Sequence, residues 1–159
     1  MKKIVSIIVV LLATITLDAQ DGRSIYNKYS DYDNVSAVYI SPSMFKIMGK
    51  LPEMNFSGDN FDFSSVIKSL NGFYLIDSRN TSINAKLRAD AEKSIDSGKF
   101  ELLMEAKDKG ETVRIYTLGD EIIVTGLVMI AYKEEECTYI SLDGKISRDQ
   151  LELIISKQD

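Results

Sequence analysis

The 159-residue sequence contains no histidine and no tryptophan, one cysteine and two prolines. Without histidine the chain lacks the commonest general base and the commonest metal ligand, so Ser-His-Asp, Cys-His, HExxH and carboxylate–histidine sites are all excluded. The lone thiol, Cys137, cannot close an intramolecular disulfide, and it falls in an expected strand where it reads as a small core residue. Basic residues are also outnumbered by acidic ones. Nineteen Lys plus Arg against 24 Asp plus Glu give a net charge of −5, the wrong sign for a protein that would grip nucleic acid by neutralising phosphates. No internal repeat and no Pro- or Ser-rich linker divides the chain, which predicts one domain over residues 20–159, long enough to bury a core.

The N-terminus carries the clearest signal. Lys2 and Lys3 form a positive region, Ile4 to Leu17 an apolar run interrupted only by Ser6, Thr14 and Thr16, and Ala19 supplies a small residue before Gln20. That order is a secretory signal peptide over residues 1–19. A transmembrane anchor fits less well, because the run falls short of the ~20 residues needed to span a bilayer and no stop-transfer cluster follows. No cysteine lies near the cleavage point, so a lipoprotein is not expected. The expectation is a soluble, acidic protein, periplasmic or secreted, with no transmembrane segment once processed.

Beyond the signal, the periodicity predicts the order α-β-α-α-β-α-β-β-β-β-α. Asp21 to Ser30 reads as a helix with Ile25, Tyr26 and Tyr29 on one side, and Val35 to Ile40 as a strand. Ser41 caps a helix with Pro42 in its first turn and Met44, Phe45 and Met48 as its apolar face, ending near Gly49. Lys50 to Asn60 reads as a loop, and Phe63, Val66, Ile67 and Leu70 as the buried stripe of a second helix stopped by Asn71-Gly72 before a strand over Phe73 to Asp77. The clearest helix has Ser82 as its cap, a stripe of Ile83, Leu87, Ala91 and Ile95, and Gly98 as its stop.

From Phe100 the period becomes two. Phe100, Leu102, Met104 and Ala106 form one face of a strand that turns at Asp108-Lys109-Gly110 into Val113 to Leu118. Glu121 to Tyr132 is apolar on both faces, as a central covered strand would be, and Glu136 to Leu142 is the last strand, closed by Asp143-Gly144. Ser147 and Gln150 have capping-box spacing ahead of a helix that would bury Leu151, Ile154 and Ile155. The fold class is therefore α+β, a mostly antiparallel sheet of about six strands with helices packed on one face.

Motifs for chemistry fail one by one. Asp31-Tyr32-Asp33-Asn34 starts like a calcium loop, but Val35, Ser36 and Pro42 occupy positions that need an oxygen ligand, a glycine and a glutamate. Asp59-Asn60-Phe61-Asp62 fails the same test, and Glu134-Glu135-Glu136 reads as a solvated turn. Gly49-Lys50 lacks both the Ser or Thr and the upstream glycine of a phosphate loop. The Asn-x-Ser sequons at Asn34, Asn55 and Asn80 read as incidental in a chain with a bacterial-type leader. No cofactor and no metal is expected. The one feature that could mark binding is the aromatic and methionine density between Tyr26 and Phe63: these residues pack a core, or the loop exposes Met54, Phe56 and Phe61 as a hydrophobic lip for a lipid, peptide or partner protein.

Taken together, Val35-Ser36-Ala37-Val38-Tyr39-Ile40-Ser41, Met44-Phe45-Lys46, Ile123 to Ile130 and Ile140-Ser141-Leu142-Asp143-Gly144-Lys145-Ile146 behind a signal peptide and a Tyr-rich helix resemble a family of small exported bacterial proteins, domain of unknown function 4252. The resemblance implies no activity or cofactor. Some members are lipoproteins, and this chain departs from them in lacking the acylated cysteine. The expected function is a non-catalytic envelope protein acting on an envelope protein or lipid. Two alternatives are a small hydrolase working through carboxylates or a Ser–Lys pair, and an accessory in envelope-stress signalling, which the resemblance suggests.

Overall fold

A computed structural model describes residues 22–48, 68–98, 100–150 and 152. Six strands form one antiparallel sheet: β1 (Val35–Ile40), β2 (Leu70–Ser78), β3 (Glu101–Asp108), β4 (Glu111–Gly119), β5 (Ile123–Lys133) and β6 (Glu136–Ser147), in the order β1-β2-β6-β5-β4-β3. Strands β3 to β6 run as a meander joined by short turns. The β3–β4 turn is Lys109-Gly110, both with positive φ, as a two-residue hairpin loop requires. Three helices lie among the described elements, α1 (Gly22–Tyr29), α2 (Pro42–Met48) and α3 (Thr81–Ser97). The fold is α+β as expected.

The core forms where the helical stripe and the strand alternation meet. Ile83, Leu87, Ala91 and Ile95 of α3 and Ile25 and Tyr29 of α1 pack with Ile76, Val128, Ile130, Cys137 and Tyr139, every one of them buried. Gly22 lets α1 start against the sheet, since a Cβ there would lie 2.5 Å from both the Cβ and the Oγ of Ser141. Cys137 is buried, and loss of solvation pushes its thiol up to about 11, the signature of an inert core residue.

Around this core runs a polar belt. Tyr29 donates a 2.6 Å hydrogen bond to Asp90 on α3, which also takes an ion pair from Lys28 and sits 3.8 Å from Lys86. Arg88 lies 3.6 Å above the Tyr132 ring and pairs with Glu92 at 3.0 Å. Arg114 of β4 bridges Glu92 and Glu105 and so ties the sheet margin to α3.

Several local readings need correction. The cap of α3 is Asn80, whose side chain accepts from the Ser82 N–H at 3.1 Å while its amide donates to the Asp33 carbonyl at 2.9 Å. Asn80→Ala should therefore cost about 1 kcal/mol in urea unfolding, and a change below a few tenths would show that the cap carries little. Leu70, Asn71 and Gly72 belong to β2, where an irregularity between Leu70 and Gly72 replaces the expected helix stop. Asp143-Gly144 does not close β6, which continues to Ser147 with its register shifted opposite Val124 and Gly126. Strand β5 begins at Ile123, leaving Ile122 in the turn and 72% exposed. Met44 is exposed, so α2 buries Phe45 instead of presenting a three-residue apolar face.

The largest correction concerns β3, which is exposed at all eight residues. It is an edge strand, and its register shifts between Leu102 and Met104, so a bulge at Leu103 breaks the alternation read from Phe100 to Ala106. The capping box at Ser147 and Gln150 is present, with both reciprocal bonds at 3.2 Å, and residues 148–150 and 152 are helical. The expected burial of Leu151, Ile154 and Ile155, and the helix stripe at Phe63, Val66 and Ile67, lie outside the described residues.

Candidate functional site

The sheet has two unlike faces. One carries the residues buried under α1 and α3, and the strand registers place the alternate residues on the other, called here the far face. Val38 is opposite Leu75, Leu75 opposite Ile140, Ile140 opposite Met129, Met129 opposite Ile115, and Ile115 opposite Met104. Opposed residues in an antiparallel sheet share a face, so these six side chains form one apolar row from edge to edge. A second row runs beside it through Ile40, Phe73, Leu142, Leu127 and Thr117 to Glu101.

Exposure along the first row is greatest at its ends, 44% for Val38 and 45% for Met104, with the four central residues half-buried. In the second row Thr117 is only 3% exposed. The two rows, six strands at ~4.8 Å spacing and about 7 Å apart along the strands, span roughly 350 Å2 of the sheet.

Polarity rises on one side of these rows. The next row is Ser36, Asp77, Thr138, Ala131, Val113 and Ala106, where the Thr138 hydroxyl donates to Asp77 at 2.8 Å. Beyond it Arg79 pairs with Glu136 at 3.3 Å. Asn34, Val35, Ser36, Asp77 and Arg79 line an open cleft of about 380 Å3 at this corner. The arrangement is an apolar centre with a polar, ion-paired corner. It is poorly suited to acid–base chemistry, because the two apolar rows hold one carboxylate, Glu101, at the outermost position.

Met54, Phe56 and Phe61, the lip expected from sequence, lie outside the described residues. Among the described residues no group of three or more Asp, Glu or Cys side chains is placed to hold a metal ion. None of the described helices is long and apolar enough to cross a membrane. The far-face rows escaped the sequence reading because register is invisible in a single strand. The available signal was that β5, β2 and β6 each place large apolar residues on both faces: Leu127 and Met129, Phe73 and Leu75, Ile140 and Leu142.

A search of curated proteins and a search of solved structures find no match to this chain. The family described as Domain of unknown function (DUF4252) matches residues 29–154, a span that takes in every described strand, most of the described core and both rows. The chain belongs to the DUF4252 family.

Proposed function

We propose that this protein is exported and non-catalytic, and that it works by binding a partner protein through the far face of its sheet. The observation that carries this reading is the unbroken row Val38, Leu75, Ile140, Met129, Ile115 and Met104. The row crosses all six strands, so a second folded surface can meet it across the full width of the sheet. Export is supported by the basic, apolar and small-residue order of residues 1–19. An envelope protein is therefore the partner class.

The test places charge at the two exposed ends of the row, where the fold tolerates it. The double variant Val38→Lys, Met104→Lys should unfold at the wild-type urea midpoint yet recover at least ten-fold less of its specific partner from a native envelope fraction. Recovery of the same partner by both proteins would sink the far face as the binding surface. Recovery of the chain's N-terminus intact and unprocessed from the cytoplasm would sink export.

A further inference from the structure

The bulged edge strand β3 has an outward hydrogen-bonding pattern that the hairpin fixes. Asp108 and Glu111 close the two-residue Lys109-Gly110 loop, and in such a hairpin the closing pair exchanges both of its backbone bonds. Ladder bonds then alternate along β3, so Asp108, Ala106 and Met104 spend their N–H and C=O groups on β4. Glu105 and Lys107 turn theirs outward, away from the sheet. The bulge at Leu103 ends this regular stretch, so the edge available for pairing is Met104 to Asp108.

We infer that this edge pairs with the same edge of a second copy, antiparallel, about a two-fold axis through Ala106. The choice of axis follows from charge. Centred on Glu105, the pairing would oppose two glutamates, and centred on Lys107 two lysines, each destabilising across strands. Centred on Ala106, Glu105 of one copy faces Lys107 of the other, and the symmetry repeats the pair. Glu105 and Lys107 are also the residues with outward backbone groups, so the same register forms four backbone hydrogen bonds. Ala106 meets its own copy at the close, non-hydrogen-bonded position, where a small side chain lets the strands approach.

Within one copy Glu105 already accepts from Lys107 at 2.9 Å and from Arg114 at 2.6 Å. Those cations and the Lys107 bond hold the Glu105 carboxyl below the usual range. The paired edges would extend this into an alternating ladder of Arg114, Glu105 and the partner's Lys107. Five residues per copy make a small interface, so the dimer is a weak, concentration-dependent one. It leaves the far face open and sets two of them side by side.

Sedimentation velocity over a concentration series tests the proposal. The wild-type weight-average mass should rise from that of one chain toward twice that value. Lys107→Glu and Glu105→Lys should each stay monomeric alone and should associate when mixed, because only the mixture opposes unlike charges. Ala106→Cys should oxidise to a disulfide-linked dimer at least ten-fold faster than Ser36→Cys, on a strand at the opposite edge, the buried Cys137 taking no part. A wild-type mass that stays at one chain throughout would overturn the inference. So would a dimer that persists in both charge variants, or equal oxidation rates at positions 106 and 36.

Discussion

Leu87→Ala should lower the free energy of unfolding by about 3 kcal/mol, within the 2–5 kcal/mol seen when a buried leucine is truncated. Leu87 is 0% exposed and lies in the middle of the α3 stripe, packed in one cluster with Ile25 from α1 and Ile76, Val128 and Tyr139 from three strands. Its side chain thus joins both core helices to the sheet. The higher helix propensity of alanine returns only tenths of a kcal/mol. Against a total stability of ~5–15 kcal/mol the loss is a large fraction, and urea unfolding should show it as a lower midpoint with an unchanged slope. Lys93→Ala, on the exposed side of the same helix, should move the midpoint by less than about 0.5 kcal/mol. Equal effects at the two positions would mean that α3 is not docked by its stripe.

Asp90→Ala should cost about 2 kcal/mol at neutral pH, because it strands a buried hydroxyl as well as removing a charge. Tyr29 is 1% exposed and its hydroxyl donates to Asp90, so truncation leaves that donor without its acceptor. Partial burial pushes the Asp90 carboxyl up, but the hydrogen bonds from Lys28 and Tyr29 outweigh it and the net direction is down. Burial and the same bond push the Tyr29 phenol up. For a carboxyl depressed in the folded state, the stabilisation is complete above the unfolded value of ~3.9 and fades as pH falls through the lower folded value. The stability gap between wild type and Asp90→Asn should therefore be constant from pH 7 to about 5 and narrow as the solution is acidified below about 4. A gap that widened on acidification would show that the carboxylate is not the stabilised form.

How much of this was legible beforehand depends on whether the information is local. The α3 stripe, the Lys109-Gly110 hairpin and the Ser147–Gln150 capping box are patterns of neighbours in sequence, and all three appear where the residues placed them. Asn80 was missed as a cap because Ser82, two positions on, is an equally good hydroxyl candidate. What selects Asn80 is its second bond to Asp33, 47 positions away. Gly72 misled for a related reason. Asn71-Gly72 has the chemistry of a helix stop, yet the pairing of β2 with β6 draws both residues into a strand, with a Cβ at Gly72 lying 3.0 Å from the Tyr74 ring. The far-face row was the least legible, since it is a property of five registers at once. Alternation says which residues share a face within a strand, and only pairing says which strands align them.

The strand order has a bearing on when this protein can become itself. Strands β3 to β6 are neighbours in both sequence and space, so they can zip up hairpin by hairpin as soon as they are available. The pair β1–β2 is different: its other neighbour is β6, and Asp77 finds Thr138 from 61 positions away. A chain delivered N-terminus first must hold α1, β1, β2 and α3 unfinished until the last strand arrives. Their apolar stripes stay unsatisfied through that interval, which leaves the early chain prone to collapse and association until the long-range contacts with β6 form. Strand β6 is thus the one on which the earlier elements wait, and losing Cys137 to Gly144, the stretch that pairs with β2, should undo the fold from its opposite end.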